Sequence, residues 1–351
     1  MDRRHRDEPL ETDALLFLRS LGAVAGRFPV WLVSWLLLAV LALAVALPWY
    51  GSFELMVEHR YEPGSLVHSL DRDFRFDHRE GLDTLARWSA STGALLALVA
   101  ALLGVFVSGG WLQVILERAR DRSLRRFFFG GARYFGRFFR LWLLTLLVLA
   151  LWHWVLYELP WQRLVLEGWM GVPESDWTEL ETLESEASAV RLRWAQDALF
   201  AVAFGCTLAW GTYSRTRMAL HEGRSAVWAG CCAAFTLLRH PIKTLRPMLL
   251  LFLVELFALL AVAGTSTQWL ESGLEPGRGT ATGRILVMFA IGQMALMWRQ
   301  ITRGASYHAA VQVSREVVAP PPRPDPWKSI GGPGGPQYPV DAGDDEFGVA
   351  L

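Results

Sequence analysis

From Phe28 to Phe53 the chain runs 26 residues without an Asp, Glu, Lys or Arg, and from Trp88 to Leu116 it runs 29. About 20 apolar residues carry a helix across a hydrocarbon core of roughly 30 Å, and only helices or closed barrels satisfy every backbone polar group there. Stretches of this length are therefore expected to span a membrane. Further runs lie between Arg140 and Glu158 (17 residues), Asp197 and Arg215 (17), and Arg246 and Glu271 (24, with Glu255 inside it). The last, between Arg284 and Arg299, has 14. That run reaches spanning length only if it begins near Thr280 and Arg284 snorkels to the headgroups.

The pattern predicts an all-α fold, a polytopic helical membrane bundle of about six transmembrane helices with interfacial amphipathic helices and a disordered C-terminal tail. The expected spans are 28–48, 89–113, 141–158, 195–213, 247–268 and 281–299 of a transmembrane domain covering 28–318. Ala42-Leu43-Ala44 resembles a signal-peptide cleavage site, but the preceding segment is long and carries Asp2, Asp7, Glu8, Glu11 and Asp13. A signal peptide has a short basic leader instead, so the first span is expected to be retained.

Loop charge sets orientation, because Lys and Arg resist translocation. Eight arginines lie between Glu117 and Arg140, and six basic residues between Ser214 and Arg246. Both segments should be cytoplasmic. The acidic segment from Tyr157 to Asp197 should face outward, which leaves both termini inside a bacterial inner membrane. Overall charge is balanced, with 34 basic and 34 acidic residues, so nothing is available to neutralise nucleic-acid phosphates. Three cysteines, two of them adjacent (Cys231 and Cys232), draw no disulfide framework.

Residues 1–27 form a cytoplasmic segment in which Thr12 to Arg27 should be an interfacial helix feeding the first span. A short helix is expected after Asp77 and another in the acidic outer loop. Sliding the middle of the chain by about 102 positions superposes Gly109 on Gly211, Trp111 on Tyr213, Arg122 on Arg224 and Arg137 on Arg239. Each copy leads from a small-residue span into a basic helix and then a strongly apolar span. Ser89, Gly93, Ala97 and Ala101, and in the other copy Ala201, Gly205 and Ala209, are four apart. Small residues at that spacing let helices pack closely in lipid.

In the first basic helix Leu124, Phe128, Phe135 and Phe138 recur at helical period, with Gly130-Gly131 placed to bend it. Arg122, Arg125, Arg126, Arg133, Arg137 and Arg140 fill its other faces and are candidates for contact with anionic lipids, at about 1 kcal/mol per basic side chain. Simple obedience to the positive-inside bias explains the same arginines. In the second, Ser225 is the expected N-cap, Val227, Trp228, Cys231, Phe235 and Leu238 the apolar face, and His240-Pro241 the stop. Residues 319–351 are Pro- and Gly-rich, a composition that builds no core and suits a disordered tail. A protein partner could read its PPPRP segment as a polyproline helix.

Ionisable groups inside spans mark functional sites by default. Glu255 lies near mid-depth of the fifth span, and Gln293, at similar depth in the sixth, is its expected hydrogen-bond partner. The pair reads as a proton or substrate site, or, preferred, as a fastener between two spans. His153 and Asp197 lie at matching depth near the outer boundary and could pair; the preferred reading is a capped His packed in an aromatic belt that includes Trp152, Trp154, Trp161, Trp169, Trp177 and Trp194. His59, His68 and His78 with Asp71, Asp73 and Asp77 lack compact metal-ligand spacing. No catalytic motif is present, so no catalytic residue, metal or cofactor is expected.

The segments GGWLQVILERARDRSLRRFFFGGARYFGRFFRL and RTRMALHEGRSAVWAGCCAAFTLLRHPIKTLRPMLL resemble those of bacterial multipass proteins of unassigned activity. Their alternation of spans with basic aromatic helices is similar to the membrane domain attached to some glycerophosphodiester phosphodiesterases. The resemblance covers about residues 90 to 310 and implies a lipid-associated inner-membrane bundle without the phosphodiesterase barrel. The function expected is a non-enzymatic scaffold or accessory protein organising partners or lipids. The alternative is a transporter or permease component using Glu255.

Overall fold

The computed structural model describes residues 13–57, 76–117, 122–169, 186–271 and 281–317. Eight helices carry these residues: α1 (Asp13–Ala25), α2 (Phe28–Val57), α3 (Arg79–Glu117), α4 (Ser123–Tyr157), α5 (Glu186–His221), α6 (Ala226–Arg239), α7 (Pro241–Glu271) and α8 (Ala281–Val317). A helical turn at Leu159–Trp161 and a π-helical segment at Gln162–Glu167 extend the end of α4. The chain is an all-α, polytopic helical membrane bundle. Among the described residues four helical stretches are long and apolar enough to cross a membrane: Phe28–Ser52, Arg79–Glu117, Ser123–Glu167 and Pro241–Thr265. α5 and α8 occupy the other two expected positions at 36 and 37 residues, with less apolar sequences.

Helices absorb the segments that the sequence divides. The short helix expected after Asp77 is the start of α3, and residues 186–197 of the acidic segment are the start of α5. The first basic helix is likewise the opening half of α4, which runs through Gly130-Gly131 without interruption. The second copy does break. Ser225 Oγ caps α6 by accepting from Trp228 N at 3.2 Å, His240 closes it, and Pro241, which has no N–H to donate, opens α7.

Those glycines serve a different purpose, because α3 crosses α4 with almost no side chain between them. A Cβ at Gly109 would sit 2.7 Å from Gly130 O, one at Gly131 would sit 2.5 Å from the Phe106 ring, and one at Gly130 would overlap Gln113. The expected small-residue stripe is corrected here: nothing lies within 4 Å of a Cβ built at Gly93 or Gly205. The close approach uses the Gly109-Gly110 and Gly130-Gly131 doublets instead.

Burial concentrates where the arginines are. Trp111, Leu112, Phe127, Tyr134, Phe138, Leu141, Met218 and Ala305 are fully or almost fully enclosed in one core. By contrast, only 6 to 17% of the most apolar window in each of the four spans is buried inside the protein. In lipid, apolar burial alone supplies no drive to bring helices together, so such faces can stay open to acyl chains. α1 joins the packed end: its Ser20 and Val24 are buried, and His308 Nδ1 of α8 lies 3.0 Å from Ser20 Oγ. Leu15 and Leu18 of α1 stay exposed, so only one side of the expected interfacial helix is free for a membrane surface.

Candidate functional site

Four polar arrangements stand out against this apolar frame. In the first, Arg299 Nε lies 3.2 Å from Glu255 Oε1 and Thr302 Oγ1 donates to Glu255 Oε2 at 2.9 Å, which fastens α7 to α8. The expected Glu255–Gln293 pair does not form. Gln293 Oε1 instead accepts from Trp35 Nε1 of α2 at 3.1 Å. Counting depth from Arg299 as the end of a span misplaced the partner, because α8 continues without interruption to Val317. An ion pair removes the cost of a lone carboxylate in an apolar span.

The second arrangement corrects another pairing. Asp197 accepts a 2.7 Å hydrogen bond from Tyr157 Oη, and His153 stacks on the Tyr157 ring at 5.1 Å between centroids. Tyr157 therefore stands between His153 and Asp197. Phe200 closes edge-on against both rings, at 6.4 Å from His153 and 5.5 Å from Tyr157. Position 157 sits one turn beyond His153 on the same face of α4, a relation the i, i+4 spacing could have exposed.

The third arrangement removes several arginines from the expected lipid-facing set. Arg126 is buried and its Nη1 lies 2.6 Å from Glu117 Oε2, with the side chains 6% and 7% exposed. Gln113 Nε2 donates to the other oxygen of the same carboxylate. Arg133 pairs with Glu222 at 3.1 Å, and Arg137 Nη1 donates to Glu222 O at 3.3 Å. Arg122 adopts a left-handed backbone, φ 49°, at the entrance to α4. Arg122, Arg125 and Arg140 stay exposed. The side chains that cover open surface at this end belong to α6 instead. Val227, Trp228, Phe235 and Leu238 face outward at 62%, 70%, 62% and 82% exposure, while Ala229, Gly230 and Ala233 pack inward. Arg224, Arg239, Lys243 and Arg246 are exposed around that apolar face.

The fourth arrangement has no counterpart in the sequence reading. Tyr307 Oη donates to Ser108 Oγ at 2.8 Å, Arg215 Nη1 donates to Tyr307 Oη at 3.1 Å, and Arg303 Nη2 reaches Ser108 Oγ at 3.2 Å and Gly104 O at 2.9 Å. Among the described residues no carboxylate pairs with Arg215 or Arg303. Burial pushes the Tyr307 phenol up, but the two guanidiniums and the hydrogen bonds with Ser108 and Arg215 outweigh it and bring the group down to about 8. Only the run of polar residues beyond Arg299 hints at this cluster.

Among the described residues no group of three His, Cys, Asp or Glu side chains could hold a metal. His59, His68, Asp71 and Asp73, and the tail 319–351, lie outside the described residues. No protein-family model, curated protein or solved structure matches the chain.

Proposed function

We propose that this chain is a non-enzymatic accessory protein of the bacterial inner membrane that gathers anionic lipids around its arginine-rich end, with both termini cytoplasmic. The observation that carries the reading is α6, which turns its alanines and a glycine to the protein and its large apolar residues outward. A helix that hides its small side chains and exposes Trp228, Phe235 and Leu238 suits the boundary between headgroups and acyl chains. The cations that ring it suit phosphate-bearing headgroups. The resemblance to a lipid-associated membrane domain agrees with this reading, and the Glu255–Arg299 clamp gives the transport alternative no support.

Cys231 lies on the exposed face of α6 and offers a direct test. A nitroxide is attached there in a Cys206→Ser, Cys232→Ser background and the protein is placed in phosphatidylglycerol-containing vesicles. Oxygen should relax the label and an aqueous nickel chelate should not. Strong relaxation by the nickel chelate would place α6 in water and end the proposal. A second measurement compares co-purified lipid: Arg239→Gln with Lys243→Gln should lower the phosphatidylglycerol share.

A further inference from the structure

A cavity of about 340 Å3 opens between the end of α4 and the first half of α5. That volume is at the lower end for a small-molecule site. Arg193 and Asp197 both line it. They lie one helical turn apart on α5, yet they form no ion pair with each other. The order explains part of this, since a cation placed N-terminal to its anion at i, i+4 opposes the helix dipole and pairs poorly. Tyr157 orients the Asp197 carboxylate by donating to its Oδ1 at 2.7 Å and leaves the second oxygen available. Arg193 has no hydrogen-bond or ion-pair partner among the described residues. Among the described residues the cavity thus presents an unpaired guanidinium and a positioned carboxylate whose backbone positions lie about 6 Å apart along the helix axis.

The remaining wall is mixed: Tyr157 and Trp161 are aromatic, Gln162 and Gln196 polar, and Leu166 and Leu192 aliphatic, so an aromatic ring is at hand for a cation. Gln162 also begins the π-helical segment, a rare geometry that recurs at functional sites.

From this we infer that the cavity binds a phosphoethanolamine-type zwitterion, with its ammonium at Asp197 and the aromatic rings and its phosphate at Arg193. A primary ammonium has three protons to donate, and an ionised carboxylate has lone pairs left after accepting from Tyr157. A quaternary choline ammonium has none to give. A purely anionic headgroup meets the Asp197 charge. The zwitterion can arrive on a membrane lipid or as a free molecule. The inference is independent of the lipid-facing role of α6, which joins the chain beyond His221, roughly 36 Å along α5 from Asp197.

The test uses the full chain in a non-ionic detergent and native mass spectrometry. Its probes are short-chain phosphatidylethanolamine, phosphatidylcholine and phosphatidylglycerol, and free glycerophosphoethanolamine. The ethanolamine lipid should bind about tenfold more tightly than either other lipid, the difference expected of one charge-assisted contact. Arg193→Gln and Asp197→Asn should each weaken it by about the same factor, and Asp197→Asn should also raise phosphatidylglycerol binding. Among the described residues Arg193 has no hydrogen-bond or ion-pair partner to lose, so its variant should melt as the parent does. Equal affinity of free glycerophosphoethanolamine would support a soluble zwitterion; weaker affinity would support a lipid. Equal binding of the three lipids, or unchanged ethanolamine binding in both variants, would overturn the inference.

Discussion

The opening half of α4 and the whole of α6 occupy matching places in the repeat, yet they use opposite chemistry. Under the 102-residue slide Phe127 falls on Ala229 and Gly131 on Ala233, and all four are buried. Arg125 falls on Val227 and Arg133 on Phe235, and these face outward or partly outward. The register of the inward face is shared while its content is exchanged. α4 gives Phe127, Tyr134 and Phe138 to the protein and leaves Arg125 and Arg140 on the surface beside Phe128 and Phe129; α6 gives alanine to the protein and its aromatics to the surface. A basic, aromatic helix thus has two ways to sit beside a membrane, and composition does not choose between them.

The sharpest way to break this contrast is at the glycines. Gly130→Leu should prevent α3 from closing on α4 and abolish monodisperse protein in detergent, because the added side chain meets backbone and Gln113 with no room to yield. Gly230→Ala should be milder, since its Cβ meets side chains and no backbone: the Trp210 ring at 2.8 Å, which must shift against its own hydrogen bond to Gly230 O, and Leu144 at 3.6 Å. The aromatics come next: Phe138→Ala should cost about 3–5 kcal/mol of stability by denaturant titration, and Phe235→Ala under about 1. A comparable loss at both positions would mean that α6 packs as α4 does.

Charge sharpens the same contrast. Arg126→Ala takes the cation from the buried Glu117 carboxylate and should cost about 3–5 kcal/mol, whereas Arg239→Ala removes an exposed cation resting 6.0 Å from the Phe235 ring and should cost about 1 or less. Thermal melts of the two variants beside the parent decide it. A further effect is one of pH. Tyr307 is held at about 8 in the fold against 10.0 for the free phenol, so the unfolded chain binds more protons between those values. Stability should therefore rise as pH climbs through that window and plateau above it. Melting followed from pH 7 to pH 10.5 should show the rise in the parent, and a correspondingly smaller one in Tyr307→Phe.

What was legible followed from constraints that act locally. Charge-free runs mark the spans because lipid excludes ionised groups wherever they stand, and Ser225 and Pro241 mark their helix boundaries through their own hydrogen-bonding chemistry. The facing of α6 was not legible, because acyl chains and a protein interior are alike in being apolar. Periodicity finds the stripe of Val227, Phe235 and Leu238 but not what lies opposite it. The same limit hid the close crossing: Gly109-Gly110 and Gly130-Gly131 look like ordinary span and hinge residues until they are set against each other. Tyr157 escaped notice because His153 and Asp197 drew the eye as ionisable groups, while the phenol between them carries no charge.

One consequence concerns α4 as a mechanical object. Its 35 residues make a rod roughly 52 Å long, with Arg126 locked at one tip and Tyr157 at the other. Where Pro241 gives the second copy a joint, this rod has none. Whatever tugs on the arginine-bearing tip must therefore tilt Tyr157 as well, as a seesaw lifts its far seat.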